Sequence, residues 1–423
     1  MRPDSFNVKT LAICAVLVLT LANVVSAQEA GGDLGGGAII FRPRNPETAS
    51  KRRSNPNRGR TGVGGGTRVS GGRTGGRTTA ANAAAAAELE ERVEDLVDEG
   101  NESRDARRYT EAEQSYRQAL QLKAKDWRAA YGLGNVYTDQ QRWEEAEQSY
   151  RQALTFNQNA DTCIALSYVL VQPRSSGNNA KRLAEAEQYA RRAIQLQSNN
   201  AIAHDRLGEA LVARAILNVE AEQSYRRAVE LDPQFAVGYV HLARLMKKTN
   251  RQADAQANFV RALELAKDAP TLVLIAEAMQ SEQLYEESDP VLKRALELDR
   301  RNPSANFLMA KLNIYRKQFP DAEGYLKATI EVSPRSFSPH FVLGSLYLRM
   351  DRPEEAEKAI MRAVDVASPN DRRQLAGAYG LGGIGDAYMK AGRKSDAARV
   401  YERAISLDPS NVELQNKLAA ARG

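Results

Sequence analysis

Only two cysteines, Cys14 and Cys163, occur in the 423 residues, too few for a disulfide framework or a cysteine-based metal site. Histidine is as scarce. His204, His241 and His340 are the full set, and none lies in an HExxH sequence or near a nucleophile at a recognisable spacing. No GxxxxGKS/T stretch exists, so the many glycines do not build a Walker phosphate loop. Aromatic residues are 6% of the chain against 43% hydrophobic, which favours an Ala- and Leu-rich helical protein over a sandwich or barrel. At this length a single ordinary core is too small, so several domains or a repeat array are expected.

The apolar run LAICAVLVLTLANVV (11–25) follows Arg2 and Lys9 and leads into Val25-Ser26-Ala27. A positive start, a short apolar stretch and small residues are the parts of an export signal, so residues 1–27 read as a signal peptide cleaved after Ala27. The rival reading is an uncleaved anchor, for which the run is short and broken by Asn23. Cleavage would remove Cys14. Cys163, in TCIALSYVL, is then either a buried small hydrophobe or a redox- or dimer-forming thiol.

Residues 28–82 change character, with GGDLGGG, SKRRSNPNRGR, TGVGGGTR and SGGRTGGRTT in succession. Such a composition buries too little apolar area to offset ordering, and a disordered linker is expected. Its cations are Arg42, Arg44, Lys51, Arg52, Arg53, Arg58, Arg60, Arg68, Arg73 and Arg77, opposed by Glu29, Asp33 and Glu47. That excess outweighs the whole chain's net charge of +6, so the remainder is slightly acidic. Arginine spaced by glycine suits polyanions, through counterion release. SGGRTGGRT is loosely similar to the RGG-type tails of RNA-binding proteins. For an exported chain, anionic lipid, glycan or an acidic partner fits better than RNA, and a plain solubilising spacer is the alternative.

From about residue 83 the sequence turns helical and repeats itself. EAEQSYRQAL stands at 111–120 and again at 145–154, and related blocks follow. Their second residues are Ala112, Ala146, Ala186, Ala221, Ala255, Ser288, Ala322, Ala356 and Ala397, mostly 33–35 apart. That period is one helix–turn–helix unit. In the first block Ala112, Tyr116 and Ala119 share one helical stripe. Upstream of each block lies a second signature: Leu133, Gly134 and Tyr137; Leu207 and Gly208; Leu242 and Ala243; Leu343, Gly344 and Tyr347; Gly385 and Tyr388. A tiny residue there lets two helices touch. Pro233, Pro334 and Pro409 punctuate the ends. Repeat six departs from the pattern with Ser288 and Pro290, and insertions precede the blocks of repeats three and nine.

Together these residues resemble the tetratricopeptide repeat family over roughly 93–410. The resemblance implies an all-α superhelical solenoid of about nine repeats across 83–423, closed by a C-terminal capping helix from SNVELQNKLAAARG. It also implies a concave groove lined by first helices and suited to a peptide or protein partner. Counting from the small residue, the groove candidates are Asn101 and Arg104, Tyr131 and Asn135, Arg244 and Lys247, Val273 and Glu277, Phe307 and Lys311, Phe341 and Ser345. Phe307 and Phe341 are expected to face solvent and so to favour a partner. Each candidate could equally be an ordinary solvated helix face. Tyr109, Trp143, Tyr285 and Phe319 share a position at the inter-helix turn and read as core. Some family members clamp a chaperone's C-terminal carboxylate, but Val97 and Tyr131 stand where that clamp needs other residues.

No stretch is left over for a catalytic domain. The expectation is a non-enzymatic, exported scaffold without cofactor or metal. Alternatives are a tether gripping anionic polymer through its basic tail, or, without export, an RNA-associated protein.

Overall fold

The computed structural model describes residues 74–172, 179–216, 219–367 and 371–423, and every regular element among them is an α-helix. The helix pairs divide between two compact units meeting at 231/232, a boundary that the even repeat spacing does not mark.

The first unit contains α1 (Thr74–Asp105), α2 (Tyr109–Leu122), α3 (Trp127–Asp139), α4 (Trp143–Phe156), α5 (Ala160–Val171), α6 (Asn179–Leu196), α7 (Ala201–Ala213) and α8 (Val219–Leu231). Odd and even helices pair as the first and second helices of repeats one to four, and α1 also packs on α3 and α5 on α7. One apolar cluster runs through the unit from Val93 to Ala210. Helix α1 begins at Thr74, inside the segment expected to be a linker. The alanine run at 80–87 has the highest helix propensity available and carries the helix upstream.

The second unit contains α9 (Ala236–Lys248), α10 (Gln252–Leu265), α11 (Ala269–Ser281), α12 (Tyr285–Leu298), α13 (Pro303–Tyr315), α14 (Phe319–Val332), α15 (Phe337–Arg349) and α16 (Pro353–Val366). It ends with α17 (Asp371–Ala376), α18 (Leu381–Lys390), α19 (Lys394–Leu407) and α20 (Val412–Arg422). Repeats five to eight pair as before. In repeat nine the first helix is broken into α17 and α18 by a turn at Gly377–Gly380. Pro290 sits inside α12, which remains one helix. Helix α20 covers the last repeat by burying Leu414 and Ala421, the expected cap.

First helices announce themselves by side-chain caps. Asp126, Asn159, Asn200, Asp268 and Asn302 each accept a backbone N–H of the following turn. Second helices such as α2, α4 and α10 start without a side-chain cap. They follow a tight turn whose residue has positive φ: Arg107, Gln141, Ala215, Asn250, Gln283, Lys317, Asp351 and Gly392. The next N–H reaches back across that turn, as Arg142 N does to Tyr137 O at 2.8 Å, a Schellman closure.

The duplicated block packs as its spacing requires. Ala112, Tyr116 and Ala119 are the buried residues of α2. Tyr150 lies over Gly134, where a methyl group would fall 2.4 Å from the ring. Gly100 meets Tyr116, Gly208 meets Tyr225 and Gly385 meets Tyr401 in the same way. Where the small residue is alanine, the residue sixteen later is smaller: Ala243 with Phe259, Ala276 with Leu292, Ala310 with Leu326, all buried.

Candidate partner-binding site

The residue that follows the small position begins the site. Asn101 and Asn135, both groove candidates, accept hydrogen bonds from the core tyrosines Tyr116 and Tyr150, each at 2.8 Å. Tyr401 donates likewise to Asp386 at 2.6 Å. The tyrosine thus fills the glycine gap and reaches through it, so that one face of these first-helix side chains belongs to the fold. The Nδ2 of Asn101 is buried without a partner.

Several of the aromatic and polar candidates are not at a surface. Tyr131 is 1% exposed and packs between Trp127 and Tyr150, with ring centroids 6.3 and 5.6 Å away. Its hydroxyl lies near Asn135 without hydrogen-bonding geometry. Asn135 is also buried. Phe307 and Phe341 are 5% and 4% exposed and share a core cluster, so the expectation that they face solvent does not hold. Phe341 stacks on Phe337 at 5.5 Å. The physical reason is that neighbouring side chains cover these rings, Trp127 and Tyr150 over Tyr131 and Phe337 over Phe341, within apolar clusters that span several repeats. Val273 and Ser345 are buried too.

Asn101, Arg244, Lys247, Glu277 and Lys311 remain half-buried. Arg104 is buried against Asp139, Nε to Oδ2 at 2.7 Å, and holds two consecutive repeats together. In the same unit Arg206 pairs with Asp205 and Glu209 and lies over the Tyr168 ring at 5.4 Å. Asp161 sits on α5, and burial alone pushes its carboxyl above the usual range. In the second unit Arg349 has its guanidinium 4.8 Å from the Phe319 ring, and burial lowers its pKa. Tyr109, Trp143, Tyr285 and Phe319 all pack against core clusters, as their shared position implies.

The side opposite the first helices is built from ion pairs that the sequence reading missed. Tyr347 donates to Glu323 at 3.0 Å, Arg352 lies 4.5 Å over the Tyr347 ring, and Arg352 also bonds Glu323 at 2.7 Å. Tyr137, Glu113 and Arg142 repeat the arrangement, and Tyr388 with Glu357 and Arg393 nearly does. Burial would raise the Glu323 carboxyl, but bonds from Lys327, Arg352 and Tyr347 outweigh it and hold it down at about 2. The readable signal was the tyrosine three residues beyond the small position and the glutamate that follows the second-position alanine in most of the repeated blocks. Only stacking showed that they meet.

Cys163 is fully buried and burial raises its thiol to about 11, which makes it a small hydrophobe in the core. His204 and His340 each donate from Nε2 to a carbonyl six residues earlier, at 3.0 and 2.9 Å, a shared structural role. Of the tail cations, Arg77 falls in α1, and Arg42 through Arg73 lie outside the described residues, as does the apolar run 11–25. Among the described residues no helix is long and apolar enough to cross a membrane, and no cluster of His, Cys, Asp or Glu has metal-binding geometry.

Models of the tetratricopeptide repeat match residues 97–161 and 307–372, and a TPR repeat model matches 385–423. The chain contains tetratricopeptide repeats. Among solved structures, yeast Tom70 is similar at 18% identity over 74% of this chain and 63% of its own, with a TM-score of 0.52. YrrB, described as a TPR protein with an unusual peptide-binding site, shares 24% identity over 47% of this chain and 97% of its own, TM-score 0.34. A thermophilic TPR protein of Thermus thermophilus shares 21% over 44% and 99%, TM-score 0.39. No curated protein matches the sequence. Tetratricopeptide repeats mediate protein–protein interactions, and members of the family are typically scaffolds rather than enzymes.

Proposed function

We propose that this tetratricopeptide-repeat protein is an exported scaffold that holds a peptide or protein on its first-helix face. One observation carries the reading. Buried polar atoms without partners lie on two half-buried first-helix side chains, Asn101 Nδ2 and Arg244 Nε. A buried donor or acceptor left unpaired costs about 1–3 kcal/mol, so a chain with no use for these groups has reason to lose them. Several second-helix cations contrast with this, Arg226 pairing with Glu222 of its own helix and Arg399 with Glu357 of the preceding repeat.

Export follows from the N-terminal pattern and is part of the proposal. N-terminal sequencing of the purified mature protein checks it, with Gln28 the expected first residue.

The face reading is tested by affinity capture from envelope extract. Wild type is compared with Glu277→Lys/Lys311→Glu on the first-helix face and with Arg226→Glu/Arg261→Glu on second helices. The first variant should lose partners that the second retains. Equal partner sets from folded proteins would remove the face from consideration.

A further inference from the structure

Arg244, Lys247 and Lys248 stand three and four residues apart on α9, so their side chains share one face of one helix. Arg244 and Lys247 are half-buried and Lys248 is exposed. None of the three forms an ion pair or hydrogen bond through its side chain among the described residues. Their neighbours differ: Arg226 pairs with Glu222 at 2.8 Å, Arg251 with Asp254 at 2.7 Å and Arg261 with Glu264 at 2.9 Å. Arg244 Nε is buried with no acceptor. Partial desolvation and the Arg244 charge lower the Lys248 pKa, with Glu282 the one opposing charge. Three like charges at this spacing repel, and among the described residues no ion pair to their side chains offsets the repulsion.

We propose that this cluster binds an acidic peptide segment of a partner protein. The inference rests on the first-helix-face reading and narrows it to a carboxylate-rich ligand on repeat five. Carboxylates would accept from the guanidinium fork of Arg244 and from the two ammonium groups, forming charge-assisted hydrogen bonds where none now exist. A nucleic acid strand fits less well. Three cations engage few phosphates, and the residues between them, Leu245 and Met246, are buried and offer no ring on which a base could stack.

The test is fluorescence anisotropy with the full chain and a short labelled Glu/Gly peptide, against its Gln/Gly counterpart. The Glu peptide should bind, the Gln peptide should not, and Arg244→Gln/Lys247→Gln/Lys248→Gln should weaken binding on the order of tenfold. The basic tail is the same in every variant, so its contribution cancels. Lys247→Gln/Lys248→Gln leaves the buried part of Arg244 in place and should lose affinity several-fold even if the triple variant folds poorly. Unchanged affinity in the variants, equal binding of the Gln peptide, or tighter binding of a labelled oligothymidylate through the same three residues would each overturn the proposal. Unchanged peptide binding alongside partner loss in Glu277→Lys/Lys311→Glu would overturn the acidic ligand and leave the face reading standing.

Discussion

Gly134 carries no side chain because Tyr150 occupies the space where one would be, and the tyrosine is large because the glycine leaves room. The two are half of a contact repeated down the chain, and its size rule is internal to this one sequence. Glycine is matched by tyrosine in repeats one, two, four and nine, alanine by Phe259, Leu292 or Leu326. Repeat eight is the exception, with Ile360 over Gly344, where an added methyl group would fall 2.6 Å from its side chain. The rule predicts a coupled pair. Gly134→Ala should destabilise by about 1–3 kcal/mol through overpacking. Adding Tyr150→Leu should recover part of that loss, although it removes the bonds to Asn135 and Thr138. A double-mutant cycle by urea unfolding measures the coupling, and additive effects would count against the pairing. At this scale the sequence was legible: small residue, tyrosine and alanine stripe were all visible as spacing. The bond from tyrosine to the residue after glycine was not, since Asn101 and Asn135 look like any polar helix position.

Elements are started and joined by different devices. Five first helices open on an Asp or Asn cap, visible in the sequence. Among the described residues, second helices open from a left-handed turn residue that is glycine only at Gly392, which is why those turns carry no obvious sequence mark. Between repeats, the Tyr347–Glu323–Arg352 arrangement ties one first helix to the preceding second helix. Glu323 is depressed from 4.5 to about 2, and its side chain is 14% exposed. A carboxylate depressed on folding contributes stability that is complete above its ordinary value and is lost as pH falls from about 4.5 toward 2. Glu323→Gln should therefore lower stability at neutral pH by about 2 kcal/mol and flatten its acid dependence in that window. Thermal melts from pH 7 down to pH 3 compare the two proteins. Parallel curves would show that this carboxylate is not the titrating group.

For the whole molecule, an array of helix pairs must close its ends, because each pair buries apolar area only against a neighbour. Helix α20 does this for repeat nine, and its sequence has little amphipathic pattern beyond Leu414 and Ala421. Truncation before Asn411 should expose the face of α19 that α20 covers, lower the melting temperature and promote self-association, read by differential scanning and light scattering. An unchanged melt and a monomer would show that the last repeat closes itself. The division into two compact units at 231/232 belongs to this scale too, and the regular period passes through it without a break.

The sequence alone determined the helix pairs, their order and the contact inside each pair, because those follow from positions within about thirty-four residues that repeat. Tertiary structure decided what lies on the surface. Tyr131, Phe307 and Phe341 share a helical stripe with Lys311 and Arg244, yet the first three are buried and the last two are not. Which of them neighbouring side chains cover, and which cations find a carboxylate, depends on groups brought close only by stacking. That is a long-range fact no single repeat contains.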